Sequence, residues 1–436
     1  MTIDLRAAAA RHRTLLTGVT VVAVTGSCGK TTTKDLTGAL LSSRLRGSTS
    51  AGSTNCGTDV AIGLLAVTSD DHFFVQELGA WGRGTLDPAL ELVRPRVGVV
   101  TNLRHDHFSA FRGPRGAQAE KGKLIATLPA AGTAVLNWDD PYVRELAGWT
   151  SARVLSFGRD PGAGLRATDV KSAWPAPLSF TAIHGRERVQ VRTRLYGAHL
   201  VGSALAALAV GLVFGLPLEQ GATALASADP TPRRMTPELG TDGVAFMRDD
   251  FKAPADSVPE VLEFMREAAA RRKLAVLGCI SDYAGRSRPT YTRLADLATA
   301  MLDTVVFVGP RAVELWGEHG SGSAADQDRL RREIGLTAHP SGSLGQERRR
   351  AKMYVFGSVA AASTFLNGQL RAGDLVLLKG SGPADHLERI LLSRYRSVSC
   401  WRTRCGHTHG CDDCELLLPP VVTHSAGGQS TNRSTI

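Results

Sequence analysis

The residues best suited to chemistry are Thr25-Gly26-Ser27-Cys28-Gly29-Lys30-Thr31-Thr32-Thr33-Lys34, between the apolar run Val21–Thr25 and a helical pattern from about Lys30 to Leu41. Glycines here let backbone N–H groups approach phosphate oxygens, and a helix starting at the same point adds a favourable dipole. This chemistry makes Gly26, Ser27, Cys28, Gly29, Lys30, Thr31 and Thr32 candidate nucleotide-binding residues. Lys30 would reach the β and γ phosphates, and the Thr31 hydroxyl would hold Mg²⁺. The strict pattern wants glycine at position 24, where Val24 stands. A phosphate loop alone does not separate kinases, switches, motors and ligases. Glu77, closing the apolar run Phe73–Leu78, and His107, following Val97–Asn102, add a carboxylate and an imidazole. Strand ends of an open parallel sheet converge on one crevice, where such groups are sensible metal ligands.

Stepping along the chain, short apolar runs alternate with helical patterns, which predicts a parallel α/β sheet. Ala134–Asn137 is a further strand, Arg188–Leu195 a more polar one, and His199–Gly215 a long small-residue helix. Asp229-Pro230-Thr231-Pro232 reads as a linker, since two prolines at that spacing cannot continue a helix. A second α/β pattern follows, with strands at Val244–Met247, Leu274–Leu277, Thr304–Val308, Met353–Phe356 and Leu375–Leu378. The expected fold is α/β: a P-loop parallel-sheet ATPase domain over residues 1–232, then a smaller Rossmann-like α/β domain over 233–398. A Cys-rich segment over 399–418 and a polar, disordered tail over 419–436 complete the chain.

At 436 residues with 43% hydrophobic and 21% charged residues, the composition is that of a globular protein of more than one domain. No run approaches the ~20 apolar residues of a membrane helix. The N-terminal segment reads as a short helix rather than a secretory signal, so a cytoplasmic location is expected. The net charge of +10 suits phosphate-bearing partners. The Arg348-Arg349-Arg350 run lacks interleaved aromatics, so nucleic acid is not an expected partner. Four of the 7 cysteines, Cys400, Cys405, Cys411 and Cys414, crowd near the C-terminus with His407 and His409 between them. Four thiolates at that spacing suggest a tetrahedral structural Zn²⁺ site.

The motifs together resemble the Mur ligase family, the ATP-dependent amide-forming enzymes of peptidoglycan synthesis, and in particular its D-alanyl-D-alanine-adding branch. The likeness runs through the phosphate loop, Gly52-Ser53-Thr54-Asn55, Val75-Gln76-Glu77-Leu78-Gly79, Thr101-Asn102-Leu103 with Asp106-His107, and Glu120-Lys121-Gly122-Lys123. It continues through Leu136-Asn137-Trp138-Asp139-Asp140, Gly197-Ala198-His199, Asp249-Asp250-Phe251 and Leu378-Lys379-Gly380-Ser381. The resemblance implies a ligase that activates a carboxylate as an acyl phosphate, releases ADP and phosphate, and joins the acyl group to an amine. It also implies two Mg²⁺, one on Thr31 and Glu77 and one on His107, with Lys121 carbamylated as a ligand. Catalytic roles fall on Lys30, Glu77, His107 and Lys121. Asn137, Asp139 and Arg234 join the nucleotide site, and Asn55, Asp250, Lys379 and Ser381 the substrate site.

Three departures shape the substrate expectation. The phosphate loop begins at Thr25, without the domain that holds the UDP part of the family's substrates. Ser203 stands where the family has an adenine-reading asparagine, and Asp249-Asp250-Phe251-Lys252-Ala253-Pro254 replaces the usual second-domain segment. The expected substrates are therefore small carboxylates and amines, amino acids or peptides, handled by a specialised peptide ligase rather than a housekeeping muramyl-peptide ligase. The alternative is an ATP-binding subunit acting only with a protein partner such as an amidotransferase; a homo-oligomer is also compatible.

Overall fold

A computed structural model describes residues 4–105, 107–319, 324–334, 351–403, 405, 410–412 and 414–417. Nine strands form the first sheet: β1 (Thr20–Thr25), β2 (Gly47–Thr49), β3 (Phe73–Glu77), β4 (Val97–Val100), β5 (Thr133–Asn137), β6 (Arg153–Gly158), β7 (Leu165–Ala173), β8 (Ala176–His184) and β9 (Glu187–Arg192). Their order is β2-β3-β1-β4-β5-β6-β7-β8-β9. Pairing is parallel from β2 through β7 and antiparallel in the β7-β8-β9 meander. Val22 and Val24 face one apolar cluster while Val21 and Ala23 face another, so β1 is covered on both sides. That double burial is why its sequence is apolar without alternation. Helix Lys30–Ser42 packs with the small-residue helix Val201–Val213 on one face; Leu5–Leu15 and Gly57–Leu65 cover the other.

The chain runs from β1 outward to β2 and β3, then returns past β1 to β4 and β5. This reversal opens a crevice at the carboxyl ends of β1, β3 and β4, the position where open α/β sheets hold their ligands. The second sheet contains β10 (Thr236–Leu239), β11 (Ala245–Asp249), β12 (Arg272–Leu277), β13 (Thr304–Val308), β14 (Lys352–Phe356) and β15 (Asp374–Lys379). Its order is β10-β11-β15-β12-β13-β14, parallel except for the β10-β11 pair.

The linker is tied to the first domain, and the two domains also touch directly. Thr231 Oγ1 donates to Asp35 Oδ2 at 2.7 Å on the phosphate-loop helix. The Ala269 N–H bonds the Trp174 carbonyl at 2.8 Å, and the Tyr196 and Phe264 rings meet edge to face at 6.4 Å. Among the described residues no helix is long and apolar enough to cross a membrane. The Arg348–Arg350 run, His407, His409 and the 419–436 tail lie outside the described residues.

Candidate active site

The loop after β1 is held open by its neighbours. Cys28 N–H donates to Asn102 Oδ1 at 2.9 Å, Ser27 N–H to the Asn102 carbonyl at 2.9 Å, and Thr101 Oγ1 to the Cys28 carbonyl at 2.6 Å. Gly26 has φ +146°, and a Cβ there would lie 2.0 Å from Thr101 Oγ1, so only glycine fits. Gly29 sits at φ +79° just before helix Lys30–Ser42, leaving the amides of its first turn directed at the crevice. Lys30 folds back over the loop, with Nζ on the Gly26 carbonyl at 2.9 Å and the Ser27 carbonyl at 3.3 Å. An anion bound in the loop would offer that ammonium a stronger partner.

Glu77, at the end of β3, is buried. Its Oε1 accepts from Asn55 Nδ2 at 2.8 Å, while Oε2 has no hydrogen-bond partner among the described residues. A buried carboxylate oxygen with spare acceptor capacity fits a Mg²⁺ ligand, and Asn55 acts here by orienting it. His107, at φ +44°, opens the short helix Phe108–Phe111, and its backbone N–H donates at 3.1 Å to Asp282 Oδ1 in the loop after β12 of the second domain. Lys121 ends helix Pro114–Lys121 and is 0% exposed. The His107 ring lies 6.4 Å and the Lys121 ammonium 5.5 Å from the Phe111 ring centre, so one aromatic packs against both candidates.

The second domain supplies a cation and braces. Arg234 Nη2 approaches Thr31 Oγ1 at 3.4 Å, and its guanidinium lies over the Phe251 ring at 4.4 Å. Arg104 pairs with Glu260 at 2.7 Å and His105 Nδ1 with Asp256 Oδ2 at 3.0 Å, gripping the loop that carries His107. The crevice therefore combines an amide cradle, two cations and an underused carboxylate between two sheets.

The Mur ligase middle domain matches residues 24–211, and the Mur ligase glutamate ligase domain matches residues 233–382. The UDP-N-acetylmuramoyl-tripeptide--D-alanyl-D-alanine ligase of Mycobacterium tuberculosis is 30% identical over 374 residues, covering 84% of this chain and 71% of that protein. The chain belongs to the Mur ligase family. It is an ATP-dependent ligase of that family, whose members use ATP and Mg²⁺. The UDP-N-acetylmuramate--L-alanine ligase of Xanthomonas euvesicatoria is 28% identical over 381 residues, covering 85% of this chain and 74% of the relative. The structure of MurF from Acinetobacter baumannii matches with TM-score 0.75 at 25% identity, over 89% of this chain and 79% of that one. MurF from Thermotoga maritima in complex with ADP shares the fold, with TM-score 0.73 at 20% identity over 90% and 84% of the two chains. The muramyl substrates in these relatives' names run against the expectation of a ligase removed from such precursors.

Other expected site residues of this Mur ligase are engaged in internal contacts. Asp250 is wholly buried and closed to substrate: its carboxylate meets Arg233 Nε at 3.1 Å and Arg248 Nη2 at 3.3 Å. Burial raises its pKa against the pull of the two arginines. Lys379 is likewise buried, its ammonium on Asp249 at 2.6 Å and on the Lys252 carbonyl at 3.1 Å. Ser381 starts the turn Gly382–Asp385 and donates its N–H to Asp385 Oδ2 at 3.0 Å. Asn137 and Asp139 reach the same edge as the phosphate loop. Asn137 Nδ2 bonds the Thr101 carbonyl at 2.7 Å, and Asp139 accepts the N–H groups of Arg159 and Asp160 at 2.8 Å, so both brace the backbone. The four-thiolate site is corrected: among the described residues no three of Cys400, Cys405, Cys411 and Cys414 come together, and Cys411 instead lies inward beside His386 and Glu388.

His199 was not among the expected site residues. Burial lowers its pKa, and Glu260, Asp249, Lys379 and Arg104 all bear on it electrostatically from around the crevice. A Cβ on Gly197 would lie 2.4 Å from His199 Cε1, so the Gly-Ala-His spacing was the available signal.

Proposed function

We propose that this Mur ligase activates a carboxylate as an acyl phosphate and joins it to an amine, releasing ADP and phosphate. The observation that carries this reading is the 3.4 Å approach of Arg234 to Thr31, which brings a second-domain cation to the phosphate loop beside Lys30. In the first step a carboxylate oxygen attacks the γ-phosphorus and the bond to ADP breaks. In the second an amine attacks the acyl carbon, phosphate leaves, and the nitrogen loses a proton as the amide forms. Phosphoryl transfer asks the protein mainly for positioning and charge neutralisation. Lys30 and Arg234 supply positive charge, and the loop amides hold the phosphates. Mg²⁺ on Thr31 and Glu77, with a second on His107, would stabilise charge on the transferring group.

Lys121 is the proposed carbamate. Its neutral amine and CO₂ would give an anionic carbamate and a proton, replacing a buried cation with an oxygen donor suited to Mg²⁺. Its complete burial supports this, since an ammonium is costly to desolvate.

The relatives' names make a peptide carboxylate and a dipeptide amine the first substrates to try. ADP release should require UDP-N-acetylmuramoyl-tripeptide with D-alanyl-D-alanine, or a carboxylate–amine pair from pools of amino acids and peptides, and Lys30→Ala should abolish it. Formation of AMP and pyrophosphate would overturn the reading. Lys121→Ala should lose activity and regain part of it with added short carboxylates; full activity without them would remove the carbamate.

A further inference from the structure

The Cys-rich segment meets the second domain at several places: Arg389 donates to the Cys400 carbonyl at 3.1 Å and lies over the Trp401 ring, and Arg248 pairs with Asp412. Cys411 enters a buried site made by His386 and Glu388, which flank the start of helix Glu388–Tyr395. The three residues are 7%, 2% and 0% exposed respectively. Cys411 Sγ lies 3.4 Å from His386 Nδ1, which in turn lies 3.5 Å from Glu388 Oε1. Tetrahedral zinc, with Zn–S near ~2.3 Å and Zn–N or Zn–O near ~2.0–2.1 Å, spaces its donors about 3.3–3.6 Å apart. The two distances already match the edges of such a tetrahedron.

His386 sits at φ +52° with its Nδ1 directed at the sulfur and the carboxylate, and its Nε2 is buried without a hydrogen-bond partner among the described residues. Glu388 Oε2 pairs with Arg233 at 3.5 Å, while Oε1 accepts the Cys411 backbone N–H at 2.9 Å and faces His386 Nδ1 with its remaining lone pair. Imidazole, thiolate and carboxylate together suit Zn²⁺ rather than Mg²⁺ or Ca²⁺.

We infer that His386, Glu388 and Cys411 form a Zn²⁺ site that fastens the Cys-rich segment to the second domain. Three protein donors leave one tetrahedral position open. Next to the site, Arg248 pairs with Asp412 at 2.6 Å, and Arg233 adjoins Arg234, so the fastening lies against the connection that reaches Thr31. The inference does not depend on the ligase reading.

The test is metal analysis of the whole reduced protein. The site predicts about one Zn²⁺ per chain, lost in Cys411→Ser and His386→Gln and retained in Cys400→Ser and Cys405→Ser. Cobalt substituted for zinc should give a charge-transfer band of single-thiolate intensity. Should the site variants fail to fold, chelator-stripped wild type decides: Zn²⁺ should protect Cys411 from alkylation while Cys400 and Cys405 stay reactive. Equal alkylation of Cys411 with and without Zn²⁺, metal loss in Cys400→Ser or Cys405→Ser, or a four-thiolate cobalt band would overturn the inference.

Discussion

Two parallel sheets in this chain end in charged and polar side chains, and they use them in opposite ways. At the first, Lys30 lies over loop carbonyls that a phosphate would displace, and Glu77 keeps one carboxylate oxygen without a partner among the described residues. At the second, Asp249 is paired with Lys379, and Asp250 with Arg233 and Arg248. The first edge keeps its groups in reserve for a ligand; the second uses them to hold the fold. Residue types at strand ends thus nominate a site, while the pairing of those residues decides whether a ligand can use them.

The sharpest way to break this comparison is to unpair the second edge. Arg233→Ala would leave Asp250 and Glu388 short of a buried cation and should cost about 3–5 kcal/mol of stability in denaturant unfolding. A small change would mean that Asp250 is open to ligand after all. On the first edge, Lys30→Ala should lower turnover by about 10²–10³-fold or more with little change in unfolding, since it removes charge stabilisation of the transferring group. Unaltered kcat would sever the loop from catalysis.

A matched pair sharpens the contrast. Glu77→Gln should raise the Mg²⁺ concentration needed for turnover while leaving the unfolding midpoint near wild type. Asp250→Asn should shift the midpoint while leaving the Mg²⁺ dependence unchanged. The smallest effect belongs to Phe251→Leu, which removes the ring beneath Arg234. Its loss of about 0.5–1 kcal/mol should appear as a few-fold rise in KM for ATP.

Much of this organisation was legible in the residues. Strands buried on both faces read as uninterrupted apolar runs, which is why β1, β3, β12, β13 and β15 stood out. β2 and β10 did not, being short, half-exposed and, in β10, interrupted by Pro237. The phosphate loop and Glu77 were visible because their chemistry is local to a strand and its turn. Asp250 was misplaced because the partners that close it, Arg233 and Arg248, meet it only through tertiary packing. The cysteines misled for the same reason. Counting sulfur along the tail pointed to four thiolates, whereas the donors beside Cys411 come from His386 and Glu388, a different part of the chain.

The most direct test of the central claim uses a carboxylate substrate labelled with heavy oxygen. Attack of that carboxylate on the γ-phosphorus transfers one of its oxygens to phosphorus, so the account predicts one labelled oxygen in the released inorganic phosphate. Label in AMP, or phosphate carrying none during productive amide formation, would contradict it.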